Sequence, residues 1–213
     1  MSTDNLNDAI LALMDAETAK TWESRHWSAE YQQEKREAIL APLRAKVETL
    51  AGEARTEATT AREQLDQALD AALYGASDNS RALAREMAWQ RIQRRLEAGE
   101  DPFTVLHGTR NPVEVEAIAS IGPSELARTS GRSADAWHAE LRAAAAQVYP
   151  ALDAGTFGPL TKAVEDTAAQ LAYADAADAV LAGKRGGAVG GHVLNGLNRH
   201  GGRVLYDQLL GNV

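Results

Sequence analysis

The sequence predicts an all-α fold, and three observations carry the prediction. Apolar or small side chains fall at Ile39, Leu43, Val47, Leu50, Ala54, Ala58, Ala61, Leu65, Leu69 and Ala72, in steps of 4, 4, 3, 4, 4, 3, 4, 4 and 3. That is an 11-residue repeat, about 3.67 residues per turn, which keeps the stripe almost straight along one helix. Aromatic residues make up 5% of a chain that is 45% hydrophobic, a balance that suits thin, closely packed helices better than the interior of a sheet. The helical period is also sustained elsewhere in the chain. The 213 residues suffice for one large domain or two small ones. Three regions are expected: a helical hairpin over 1–99, a small helical subdomain over 100–182, and a glycine-rich basic tail over 183–213.

The first helix is expected over residues 4–20, with Leu6, Ile10, Leu13 and Met14 on one face and Thr3 or Asp4 as its cap. Next, Trp22, His26, Trp27 and Tyr31 lie close enough at helical spacing to cluster, as an anchor for either a core or an interface. Ser28 is placed either to cap a helix that starts before the charged run over 34–37 or to lie within a continuous helix. Pro42 removes a backbone donor from that helix, so the chain is expected either to kink there or to start a new helix with Pro42 in its first turn.

The repeat stripe needs a partner. Packing within the chain, self-association and a lipid surface are the three options, and the last is disfavoured because the polar face mixes both charge signs. Self-association through Ile39, Leu43, Val47, Leu50 and Leu65 is the expectation, giving a homo-oligomer.

The repeat ends near Leu73 or Tyr74, where the turn Gly-Ala-Ser-Asp-Asn-Ser leads into a helix over 81–98. Leu83, Met87, Ile92 and Leu96 are read as its apolar side and Arg81, Arg85, Arg91, Arg94 and Arg95 as the other. Docked antiparallel, this helix would set its arginines against the acids of the repeat helix. The alternative is an adaptor or regulator that binds a protein or DNA through residues 81–95, with Arg91, Arg94 and Arg95 as the candidate nucleic-acid contacts.

Beyond Gly99 the prolines and turn signals predict two or three short helices. Asn111, Pro112 and Glu114 form a cap, a first-turn proline and a first-turn acid; Gly122 and Pro123 repeat the punctuation. Ser133 opens a helix through Trp137, Leu141, Ala145 and Val148 that should stop at Pro150. After the turn 153–158, Pro159 should start another, carrying Leu160, Val164, Ala168, Leu171 and Leu181. Both are alanine-rich and thin enough to approach as a hairpin. In the tail, a linker over 183–191 and short helices over 193–198 and 204–210 are expected. Its glycines, each destabilising a helix by nearly 1 kcal/mol, suit an arm that orders on a partner; the alternative is that its apolar residues return to the core, the glycines permitting close helix approach.

The net charge is −8, and it is unevenly spread. Residues 1–80 carry 15 acids and 8 bases and residues 100–182 carry 12 and 5, whereas 81–99 carry 2 and 5, and 183–213 carry 1 and 4. The acidic total argues against wholesale nucleic-acid binding, while the basic tail suits an acidic protein partner. With 0 cysteines, disulfides and thiolate metal sites are excluded. No phosphate-binding loop or nucleophile elbow is present. His107 with Arg110, and His192 with His200 and Asp207, are the only weak candidates for an anion or a metal, and no catalytic residue, metal or cofactor is expected. No run approaches the roughly 20 apolar residues of a membrane span, and no basic segment precedes the first apolar residues. A cytoplasmic protein is expected.

An acidic, helix-rich body with a long repeat helix and a small basic helical tail is similar to the scaffolding and head-assembly proteins of tailed bacteriophages. The resemblance lies in architecture and charge layout, spans most of the chain loosely, and departs from that family in the glycine-dense tail and the proline-punctuated middle. It implies an assembly role, in the cytoplasm or in the prohead, with Lys184, Arg185, Arg199 and Arg203 docking on an acidic shell protein.

Overall fold

The computed structural model describes residues 3–75 and 78–183. Among them are only helices and connecting turns, so the all-α prediction holds. In chain order the helices are α1 (Thr3–Ala19), α2 (Ala29–Tyr74), α3 (Asn79–Glu97), α4 (Pro102–Gly108), α5 (Pro112–Ser120), α6 (Gly122–Ser130), α7 (Ala134–Leu152) and α8 (Ala154–Leu181). They form two compact units, one of residues 3–62 with 163–183 and the other within residues 63–162. The division among the described residues falls inside α2 and α8 rather than at 99/100, and the tail expected from residue 183 lies outside the described residues. The first unit is built from segments far apart in sequence, a pairing that no local composition change can mark.

In the first unit, α1, the first two-thirds of α2 and the second half of α8 share one core. Leu6, Ile10 and Leu13 of α1, Trp22, Leu40, Val47, Ala51 and Ala54, and Ala174, Ala177 and Val180 of α8 are buried together. Thin alanine rows let these helices approach closely, and the alanines of α8 pack into the core shared with α1 and α2. Polar bonds fix the register: the Arg55 guanidinium donates to the Ala174 carbonyl at 2.9 Å and to Asp178 at 2.6 Å.

The helix ends follow local chemistry. Lys20, at φ 45, turns α1 off in the left-handed conformation that usually terminates a helix. The Ser28 hydroxyl accepts from the Tyr31 amide at 3.2 Å and so caps α2. Pro42 lies inside α2, which neither ends nor restarts there. Both Pro42 and Ala38, whose carbonyl loses its partner, are exposed, so water can satisfy the orphaned oxygen.

The second unit is organised on α5, in which Val115, Glu116, Ala117, Ile118 and Ala119 are all buried. Leu69 and Leu73 of α2 share its core with Trp89 and Ile92 of α3, Leu106 of α4, Leu141 and Tyr149 of α7, and Phe157. Gly122 packs closely under Leu141 and Trp89, where a Cβ would stand 3.4 Å from both side chains. The caps read from Asn111 and Ser133 are present, accepting from the amides of Val113 at 3.0 Å and Ala136 at 3.2 Å.

Two proline readings are corrected. Pro150 lies within α7 and Pro159 within α8. The expected turn over 153–158 contracts to Asp153, whose backbone closes α7 on the Tyr149 carbonyl and opens α8 with the amides of Thr156 and Phe157. Burial of Tyr149 and Phe157, rings edge to face at 5.5 Å, stabilises the junction by roughly 1.5–3 kcal/mol per side chain. That is enough to offset a helix bond lost near each end.

Candidate protein interaction surface

The α3 helix is held from one side and open on the other. Asp78 caps its N-terminus, accepting from the Arg81 amide at 2.7 Å, and a hydrogen bond from Ser80 holds the Asp78 carboxyl below the usual carboxylate range. On the inward side, Glu116 of α5 is fully buried, an expensive place for a carboxylate unless it is fully paired. Arg81 grips it through two nitrogens, at 3.1 and 2.5 Å. Arg85 donates to it at 2.9 Å and the Tyr149 hydroxyl at 2.8 Å. Burial, the largest single effect, pushes the Glu116 carboxyl up; the bonds from Arg81, Tyr149 and Arg85 together outweigh it, and the group titrates below its ordinary range. The same burial, reinforced by Glu116, drives the Tyr149 phenol up. A second Arg85 nitrogen donates to the Ala72 carbonyl at 3.1 Å, tying α3 to the last turns of α2.

The α3 arginines therefore find their carboxylates chiefly on α5 and just beyond α3, not along the repeat helix as expected. Arg91 lies 3.7 Å from Glu114, and Arg95 bonds Glu100 at 2.6 Å. Of the candidate nucleic-acid contacts Arg91, Arg94 and Arg95, only Arg94 is exposed with no ion pair among the described residues. Such internal pairing leaves little free positive charge to neutralise phosphates.

The outward side was misread in the sequence. Leu83 and Met87 are 61% and 52% exposed, whereas Ala88, Trp89 and Ile92 are buried. The signal was available: the step from Met87 to Ile92 is five residues, about 140° around a helix, so the four apolar residues grouped there do not share a face. Leu83, Met87, Gln90 and Arg94, in steps of 4, 3 and 4, do form one exposed row. Arg91 and Glu86 lie on its opposite flanks.

The residues expected to mediate self-association are already used within the chain. Val47 is fully buried, Ile39, Leu43 and Leu50 pack against the first unit's core, and Leu65 packs against the second's. Their stripe is core because α1 and α8 cover it in the first unit. The tryptophans divide: Trp22 is buried, while Trp27 is exposed and meets Tyr31 edge to face at 5.1 Å. His107 and Arg110 are both exposed. Lys184, Arg185, Arg199 and Arg203, the proposed docking residues, lie outside the described residues, as do His192, His200 and the short helices expected in the tail.

Among the described residues no cluster of three His, Asp or Glu side chains is placed to hold a metal ion. No helix there is long and apolar enough to cross a membrane. Comparison of the chain with protein-family models, with curated proteins and with solved structures finds no match.

Proposed function

We propose that this chain is a structural, assembly-type protein that works by binding protein chains, its own copies included, through the outward face of α3. The observation that supports the reading is the exposed pair Leu83 and Met87 on a helix whose opposite side is pinned by the Glu116 network. Two large apolar side chains one turn apart on a rigid helix make an anchor of the kind helix-in-groove and helix-on-helix recognition uses, and methionine adapts readily to a partner's shape. The reading keeps the role implied by the likeness to phage scaffolding and head-assembly proteins, in the cytoplasm or prohead. It moves the adhesive face from the repeat stripe to α3. Lys184, Arg185, Arg199 and Arg203 remain the proposed contacts to an acidic shell protein.

Sedimentation velocity over a wide concentration range tests this. The wild type is expected to associate, and Leu83→Glu with Met87→Glu is expected to leave a monomer whose melting temperature is almost unchanged, since exposed substitutions typically shift stability by no more than about 0.5 kcal/mol. Association undiminished in the double variant would overturn the reading.

A further inference from the structure

The α1 helix carries the complement of this row. Its segment Thr3–Ala19 contains four acids and no lysine or arginine, and on its outward side Asp8, Leu11 and Asp15 are exposed together, Leu11 to 48%. Steps of three and four residues put all three on one face. An apolar side chain flanked by carboxylates on α1 matches an apolar pair followed by Arg94, with Arg91 on its flank, on α3.

Resting on the reading of α3 as an adhesive face, we infer that its occupant is α1 of a second copy of this chain, laid antiparallel across Leu83 and Met87. The orientation follows from the helical wheel. Asp8 and Asp15 lie on the same side of Leu11 as Arg91 does of the α3 row, about 40–80° round each helix. Like flanks of two facing helices meet when they run antiparallel, as in antiparallel coiled coils. In that orientation Asp8 faces Arg91 and Arg94, and Glu86 is left opposite the other flank of α1, where Asn7 stands. A parallel crossing would set the carboxylates against Glu86. With Leu11 beside Met87, Asp8 lies about 4.5 Å along the axis toward the end of α3, almost level with Arg91 at about 6 Å, and Arg94 lies at about 10.5 Å, a gap that an extended arginine side chain spans. One helix-on-helix contact is small for an interface, so association is expected only at about 10–100 μM, weakening as salt screens the exposed charges.

Charge exchange tests the pairing on the full chain. Asp8→Lys with Asp15→Lys and, separately, Arg91→Glu with Arg94→Glu should each weaken self-association by about tenfold or more. Combining the two sets in one chain should restore it, and mixing the two singly reversed proteins should give a tighter pair than either forms alone. Circular dichroism and melting of each variant establish that it is folded before it is weighed. If the reversed α1 protein associates as well as wild type while Leu83→Glu with Met87→Glu abolishes association, α3 is adhesive but α1 is not its occupant, and this inference falls while the functional reading stands. A wild type that stays monomeric up to about 1 mM, or a combined variant no better than its parents, also overturns it.

Discussion

At the residue scale, Glu116 carries the largest electrostatic stake. Glu116 is visible in the sequence as one charge within the otherwise apolar run Val-Glu-Ala-Ile-Ala. Its partners are not, because Arg81 and Arg85 lie 35 and 31 residues away and nothing local links them. Glu116→Gln removes the charge that two guanidinium groups share, one of them, Arg85, itself only 12% exposed. The expected loss is about 3 kcal/mol in a urea titration at neutral pH. The pH dependence follows the depressed carboxyl. Its stabilising contribution is complete above the ordinary value of 4.5 and is lost as pH falls through the lower folded-state value. The gap between wild type and Glu116→Gln should therefore close in acid; a gap that stays constant down to pH 2 would mean that Glu116 is not held ionised.

At the element scale, capping chemistry was the most legible feature. Ser28, Asn111 and Ser133 sit where side-chain oxygens accept from the amides of a following first turn, and each cap bond spans only two or three residues. The prolines misled for the converse reason. Pro42, Pro150 and Pro159 each carry a local penalty of about 3 kcal/mol in a helix interior, but exposure at Pro42 and the buried Tyr149–Phe157 contact near the other two offset it. The 11-residue stripe is a helix, as its period predicts, and part of it packs within the chain; periodicity shows that a face is buried without showing by what. Leu50→Asp separates core packing from a seam between chains. Its carboxylate would enter the first unit's core, so unfolding should begin earlier, by about 2–4 kcal/mol, without selective loss of association. A stable, folded monomer would restore the stripe as a seam between chains.

At the scale of the whole molecule, what was least legible was which segments gather together. The first unit joins residues 3–62 to residues 163–183, and such a closure is written only in matching alanine rows, which resemble one another throughout the chain. Burial narrows the candidates: much of the stripe packs within the chain, most α3 arginines are paired, and among the described residues Leu11, Trp27, Tyr31, Leu83 and Met87 are the large hydrophobics left exposed. The central claim is that the outward face of α3 is where this protein holds another protein. The most direct measurement places a photoreactive diazirine side chain at position 87 of the full chain, mixed with an equal amount of isotope-labelled wild type at an associating concentration. Mass spectrometry is expected to find crosslinks from position 87 of one copy to residues 3–19 of the labelled copy. Crosslinks confined to the photoreactive chain's own peptides, in a sample that sedimentation shows to be associated, would contradict it.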